Sequence, residues 1–103
     1  MFKGILSTIY VKLKSGFTIE KIYKTLKKFH KKNTFINVLK INSLVSTNDV
    51  INTNNCNISI CKTKYKNKII ILSAIDNLIK GGAGQAIQNM NIKFGFKIGE
   101  GIK

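Results

Sequence analysis

The sequence has no arginine, only 4 acidic residues against 18 basic ones, a single histidine and two cysteines. Each shortage excludes something. Without arginine there is no forked guanidinium to read base edges or clamp phosphates bidentately, so the net charge of +14 rests on lysine alone. Such a balance by itself points to nucleic acid or an anionic membrane. Lysine, isoleucine and asparagine dominate the chain, however, and all three have A/T-rich codons. A coding bias explains the trio, whereas a polyanion surface explains only the lysines, so nucleic acid is not the expected partner. His30 alone cannot complete a zinc site with Cys56 and Cys61, and no metal is expected. The five-residue spacing of the two thiols in a strand-like stretch puts them on opposite faces, against a mutual disulfide. Packed free thiols suit a reducing compartment, and a cytoplasmic location is expected.

Long apolar runs are missing too. The longest, Ile69–Leu72 extended through Ser73 to Ile75, is far short of the roughly 20 residues that cross a membrane. Lys12 and Lys14 interrupt the apolar stretch after Met1, so no signal peptide is expected. What remains is a globular composition, 44% hydrophobic over 103 residues, enough for one modest core.

Along the chain, Gly4–Leu13 alternates. Ile5, Ile9, Val11 and Leu13 fall on one face, and Thr8, Tyr10 and Lys12 on the other. This predicts a strand with one buried and one wet face. Ser15-Gly16 breaks it, and Thr18 reads as the N-cap of a helix with Glu20 in its first turn. Ile19, Ile22, Tyr23, Leu26 and Phe29 recur at helical spacing and carry that helix to about Lys32. Lys27, Lys28, Lys31 and Lys32 crowd its last turn, where cations suit the negative end of the dipole. Thr34–Lys40 predicts a short strand, and the polar stretch Ile41–Asn55 a long surface loop. Cys56–Lys62 and Lys68–Ile75 predict a hairpin, the unbroken run from Ile69 to Leu72 implying cover on both faces. The fold class is therefore α+β, a mixed, mostly antiparallel sheet with a helix on one face and a further helix at the C-terminal end.

That last helix lies within the block Asp76-Asn77-Leu78-Ile79-Lys80-Gly81-Gly82-Ala83-Gly84-Gln85-Ala86-Ile87-Gln88-Asn89-Met90-Asn91. It reads as a strand end with two polar side chains, then a helix opening on four small residues. Helix N-termini carry free N–H groups, and small residues let a ligand or another backbone come close. The spacing matches neither common phosphate loop, so a close-packing site and a ligand site both remain open.

The block resembles the C-terminal signature of the N-acetyl-gamma-glutamyl-phosphate reductase family, Asp-Asn-Leu-x-Lys-Gly-Ala-Ala-Gly-Gln-Ala-x-Gln-Asn-Met-Asn. Gly82 replaces an alanine. Met1–Thr8 is similar to that family's Pro-Met-x-Arg-Gly-Ile-Leu-x-Thr stretch. Leu44–Asn57 is similar to its Pro-Thr-x-x-Val-x-x-(Ser/Thr)-Asn-x-Cys-Asp segment through Ser46, Thr47, Val50, Asn55, Cys56 and Asn57. The resemblance implies an NADP-dependent reductase that turns N-acetyl-glutamyl phosphate into the semialdehyde in arginine biosynthesis. It makes residues 1–75 a fragment of the catalytic and dimerisation domain. Residues 76–103 become a segment that packs back on an NADP-binding domain, carried on the same or a separate chain. In that family a cysteine attacks the acyl phosphate, hydride reduces the thioester, and a histidine serves as acid and base. All of that machinery aligns upstream of Met1, so no catalytic residue is expected here and the chain alone is expected to be inactive. The resemblance assigns Asn77 to the nicotinamide carboxamide, for which an amide that donates and accepts is suited. It places Gly81 and Gly82 beside the cofactor, and Lys3, in place of an arginine, at the substrate. It further implies homo-oligomers and no membrane. The alternatives are a non-catalytic structural or dimerisation remnant, and a small basic nucleic-acid-binding protein.

Overall fold

The computed structural model describes residues 4–76, 78–95 and 97–102. Four strands form one mixed sheet: β1 (Ile5–Lys12), β2 (Ile36–Val38), β3 (Cys56–Lys62) and β4 (Lys68–Ile75). They lie in the order β1-β4-β3-β2. β4 is antiparallel to both β1 and β3, while β2 runs parallel to β3. Two helices, α1 (Ile19–Phe29) and α2 (Gly84–Phe94), complete the α+β architecture.

α1 forms because its apolar positions share one face and its first turn is capped. The Thr18 hydroxyl accepts from the Lys21 N–H at 3.3 Å, with Glu20 beside the positive helix end. Ile19, Ile22, Tyr23 and Leu26 pack with Leu13, Ile60 and Ile69 into the core. Full burial of such an aliphatic side chain is worth roughly 1.5–3 kcal/mol, which applies to Ile19, while the half-buried Ile22, Tyr23 and Leu26 gain a part of that. The helix stops at Phe29, three residues before the expected Lys32. There the Lys31 N–H turns to the Lys28 carbonyl and Asn33 Nδ2 meets His30 Nδ1 at 2.7 Å. These short-range bonds tighten the chain and end the helix.

Three other expectations need correction. β1 does not bury a face: Ile5 (45%), Leu6 (51%), Ile9 (49%) and Tyr10 (78%) are all exposed. Only its far end, Val11 into Leu13, reaches the core under α1. The alternation is real, but β1 is an edge strand and α1 covers just one end of the sheet. For the same reason β4 is central yet only Ile69 and Ala74 are buried, and Ile70–Leu72 are half-buried. Finally, Ile41–Asn55 is more than a surface loop. It carries a one-turn 3-10 helix at Thr47–Asp49, and Val50 and Asn54 within it are fully buried. It first follows β3, with Asn42 N–H donating to the Ile60 carbonyl and Ser59 Oγ to the Ser43 carbonyl. It then reaches the start of β1, where a Cβ on Gly4 would lie 2.5 Å from Thr47 Cβ.

Candidate functional site

A dense set of hydrogen bonds joins the end of β4 at Asp76 to the start of α2 in one corner of the chain. Asp76 is buried, and its carboxylate ties two segments. Oδ1 accepts from the N–H groups of Leu78 (2.8 Å) and Ile79 (3.1 Å), and Oδ2 accepts from that of Asn52 (2.7 Å). Its carbonyl also accepts from the Gly81 N–H. A short acid at a strand end competes well for the free N–H groups of the following turn. The turn it organises is a single π-helical one, Ile79–Ala83, in which the backbone leaves helical geometry at Gly82. The regular helix begins only at Gly84. The expected helix start on four small residues is therefore a turn of three, and a helix that starts on the fourth.

Gly84 is the close-packing position. It is buried, its N–H donates to the Ile79 carbonyl, and a Cβ there would meet Ile79 Cγ2 at 2.5 Å and also Asn54 Oδ1. Asn54 itself has no exposed surface. Its Nδ2 donates to Gln88 Oε1 at 2.8 Å, while its Oδ1 has no hydrogen-bond partner among the described residues. Gln88 Oε1 also accepts from Lys80 Nζ at 2.9 Å. Burial holds the Lys80 ammonium below the ordinary lysine pKa, an effect opposed by the electrostatic influence of Cys56. The same ammonium lies 5.7 Å from the centre of the Phe35 ring. At the other end of α2, Gly95 adopts the left-handed conformation that ends helices. Buried Asn91 then gathers the chain end, its Nδ2 donating to the carbonyls of Ile98 (3.0 Å) and Glu100 (2.9 Å).

The block's polar residues thus serve first to build the corner: Asp76 the turn, Lys80 and Gln88 the link to Asn54, Asn91 the tail. All four, Asp76, Lys80, Gln88 and Asn91, stand in the signature quoted above and could have been singled out there. Asn54 had a signal too: with Ser46, Val50 and Cys56 in register, the Asn of the Pro-Thr-x-x-Val-x-x-(Ser/Thr)-Asn-x-Cys-Asp segment falls on Asn54 rather than on Asn55. Of the candidate site residues, Gly81 and Gly82 are exposed on the surface of the turn together with Ala83. Asn77 and Lys3 lie outside the described residues. His30 sits at the end of α1 and neither thiol touches it: Cys56 Sγ faces Ser73 Oγ at 3.4 Å and Cys61 Sγ faces Ser59 Oγ at 3.9 Å. Both cysteines are free. Among the described residues no group of acidic, histidine or cysteine side chains could hold a metal ion, and no helix is long and apolar enough to cross a membrane.

Comparison with known proteins adds a family. Residues 1–77 match the model of the semialdehyde dehydrogenase dimerisation domain. The chain is 49% identical over 100 residues to the N-acetyl-gamma-glutamyl-phosphate reductase of Clostridium botulinum (strain Alaska E43 / Type E3), covering 97% of this chain and 29% of that protein. It is 41% identical over 103 residues to the enzyme of that name from Staphylococcus aureus (strain MRSA252), covering 100% of this chain and 30% of the relative. For the Thermoanaerobacter pseudethanolicus protein of the same name the identity is 44% over 97 residues, covering 94% of this chain and 28% of the relative. The chain spans less than a third of the length of the curated relatives it matches.

Proposed function

The chain belongs to the semialdehyde dehydrogenase dimerisation-domain family, and from that premise we propose that it works as the C-terminal part of an NADP-dependent reductase acting on N-acetyl-glutamyl phosphate in arginine biosynthesis. The observation that carries this reading is a similarity running over 94% to 100% of the chain with reductases of that name. The exposed turn supports it. Gly81 and Gly82 present backbone without side chains, on a turn anchored from below by Asp76, so a cofactor held by an NADP-binding domain can approach closely. When bound, the reduced cofactor, NADPH, would supply the hydride and leave as NADP+. In this reading Asn77 orients the nicotinamide amide by donating and accepting, and Lys3 offers a point charge to the acyl phosphate. Residues 76–103 dock on the nucleotide domain, and the exposed side chains Leu78, Met90, Ile92 and Phe94 are apolar surface for that contact. The reaction is cytoplasmic.

Assembly belongs to the same reading. β1 has an open edge among the described residues and exposed apolar side chains on both faces, a combination that calls for cover. A second copy of the chain is the cover we propose. The same feature favours a second reading, a domain kept for dimerisation alone.

Reconstitution separates the two. This chain is mixed with a chain carrying the cysteine, the histidine and the nucleotide domain, and NADPH oxidation dependent on the acyl phosphate is followed. Activity in the mixture is expected; its absence, with dimers still formed, leaves only the assembly reading. Asn77→Ala should lower turnover more than NADP affinity, because misplacing a reacting group by about 1 Å costs on the order of 100-fold. Unchanged turnover would remove Asn77 from the cofactor site.

A further inference from the structure

We propose that the end of the sheet remote from Asp76 holds a binding cavity for a nucleotide-like organic phosphate, a ligand joining a planar ring to two or more phosphate charges. The turn between β1 and α1 and the hairpin between β3 and β4 flank a solvent-open cavity of about 800 Å³. Lys12 and Lys68 are register partners at this end, as Ile5 and Ile75 are at the other. Seven residue steps at about 3.3 Å each put roughly 23 Å between the two ends. A cavity of this volume lies in the range of small-molecule sites.

The lining has three parts. Buried Leu13, Ile19 and Ile69 make an apolar floor. Phe17 and Tyr65 stand on the rim with about half of each side chain exposed. Around them come Lys12, Lys14, Lys62, Lys66 and Lys68, against a single acid, Glu20. Glu20 is already engaged by Lys62 at 3.7 Å, which leaves four ammonium groups with no carboxylate in the lining. The first turn of α1 opens on the same space and adds its positive end.

Coding bias explains how many lysines the chain has; it does not explain why five of them border one cleft at this end of the sheet, where each raises the electrostatic cost of the next. A multiply charged anion reverses that cost. Lysines meet phosphate as point charges, without the forked geometry of arginine, so the charge selects phosphate more than sequence. The rings select the rest of the ligand. Lys64 and Lys68 place their ammonium groups 5.2 and 5.0 Å from the centre of the Tyr65 ring, holding it by cation–π attraction. Aromatic faces beside cations are the surfaces on which nucleobases stack.

The ligand chemistry could arrive as a free nucleotide or within a strand, and the test distinguishes them. Affinities of the 103-residue chain for ATP and for a decauridylate are measured by titration at about 0.15 M salt, where exposed charges farther apart than about 8 Å are screened. The triple variant Lys14→Gln, Lys66→Gln, Lys68→Gln is compared with Lys28→Gln, Lys31→Gln, Lys32→Gln, which removes the same charge at the end of α1. We expect binding of at least one probe to weaken about tenfold or more in the cavity variant and less than about twofold in the control, since net charge is equal in both. Preference for ATP identifies the free nucleotide, and preference for the decauridylate the strand. Equal losses in both variants would show attraction by net charge alone and overturn the cavity. So would the absence of binding to either probe.

Discussion

A methyl group on Gly84 would stand 2.5 Å from Ile79 Cγ2 and 2.7 Å from the Ile79 carbonyl oxygen, closer than packed atoms come. Neither neighbour is free to move, since Ile79 is fixed by its N–H to Asp76 and its carbonyl already accepts from the Gly84 N–H. Gly84→Ala should therefore destabilise the fold by about 1–3 kcal/mol, the usual cost of overpacking a tight site. Urea denaturation checks it, and a loss below about 0.5 kcal/mol, as at an ordinary surface position, would show the corner to be looser than its geometry. This residue also marks how far the site could be read in advance. A run of small residues announced close approach but not what approached, and the answer came from Asn54, thirty residues away in a loop whose polar composition hid a fully buried side chain. Asp76 was readable as a polar strand end that could accept from the turn just after it, at Leu78 and Ile79, yet its bond from the Asn52 N–H depends on where Asn52 lies in space. Local spacing carries no such information.

Elements were legible where their periodicity answers to neighbours nearby in sequence. β3 and β4 fall at Cys56–Lys62 and Lys68–Ile75, as their alternation and the turn between them require, and α1 begins at the residue after its cap. β1 was legible as a strand but not in its surroundings. Alternation says that one face prefers cover and is silent on whether the same chain provides it. The exposed Ile5, Leu6, Ile9 and Tyr10 make β1 the place to test assembly. Ile9 pairs with Ile71 across the ladder, and a charge at Ile9 should be tolerated in a monomer, where half of the side chain already meets water, but not in a joined sheet edge. Sedimentation of the wild-type chain should show dimers, and Ile9→Lys should shift them to monomers with the thermal transition little changed. A wild-type chain that stays monomeric at high micromolar concentration would remove β1 as an interface.

At the scale of the whole molecule, the chemistry present decides what the chain can do by itself. Reduction of an acyl phosphate through a thioester needs a thiolate beside a base. The sequence holds one histidine and two cysteines, and the fold keeps them from working together. His30 Nδ1 is engaged with Asn33 and its ring packs edge-on against Phe29 at 4.9 Å, while the two thiols face serine hydroxyls in the sheet. A serine hydroxyl is too weak a base to draw a proton from a thiol at neutral pH. The described strands are also joined without a parallel strand–turn–helix–strand unit of the kind that cradles a dinucleotide, because the one parallel pair, β2 and β3, is connected by an irregular segment with a single 3-10 turn. The purified 103-residue chain should therefore oxidise no NADPH in the presence of the acyl phosphate, and Cys56→Ser and Cys61→Ser should each leave that null result unchanged. Following the absorbance of NADPH, whose loss at a median enzyme rate of roughly 10 per second would be plain, checks it. Turnover by the chain alone, abolished by either serine variant, would place the nucleophile in the sheet and displace the turn at Gly81–Gly84 from the centre of the site.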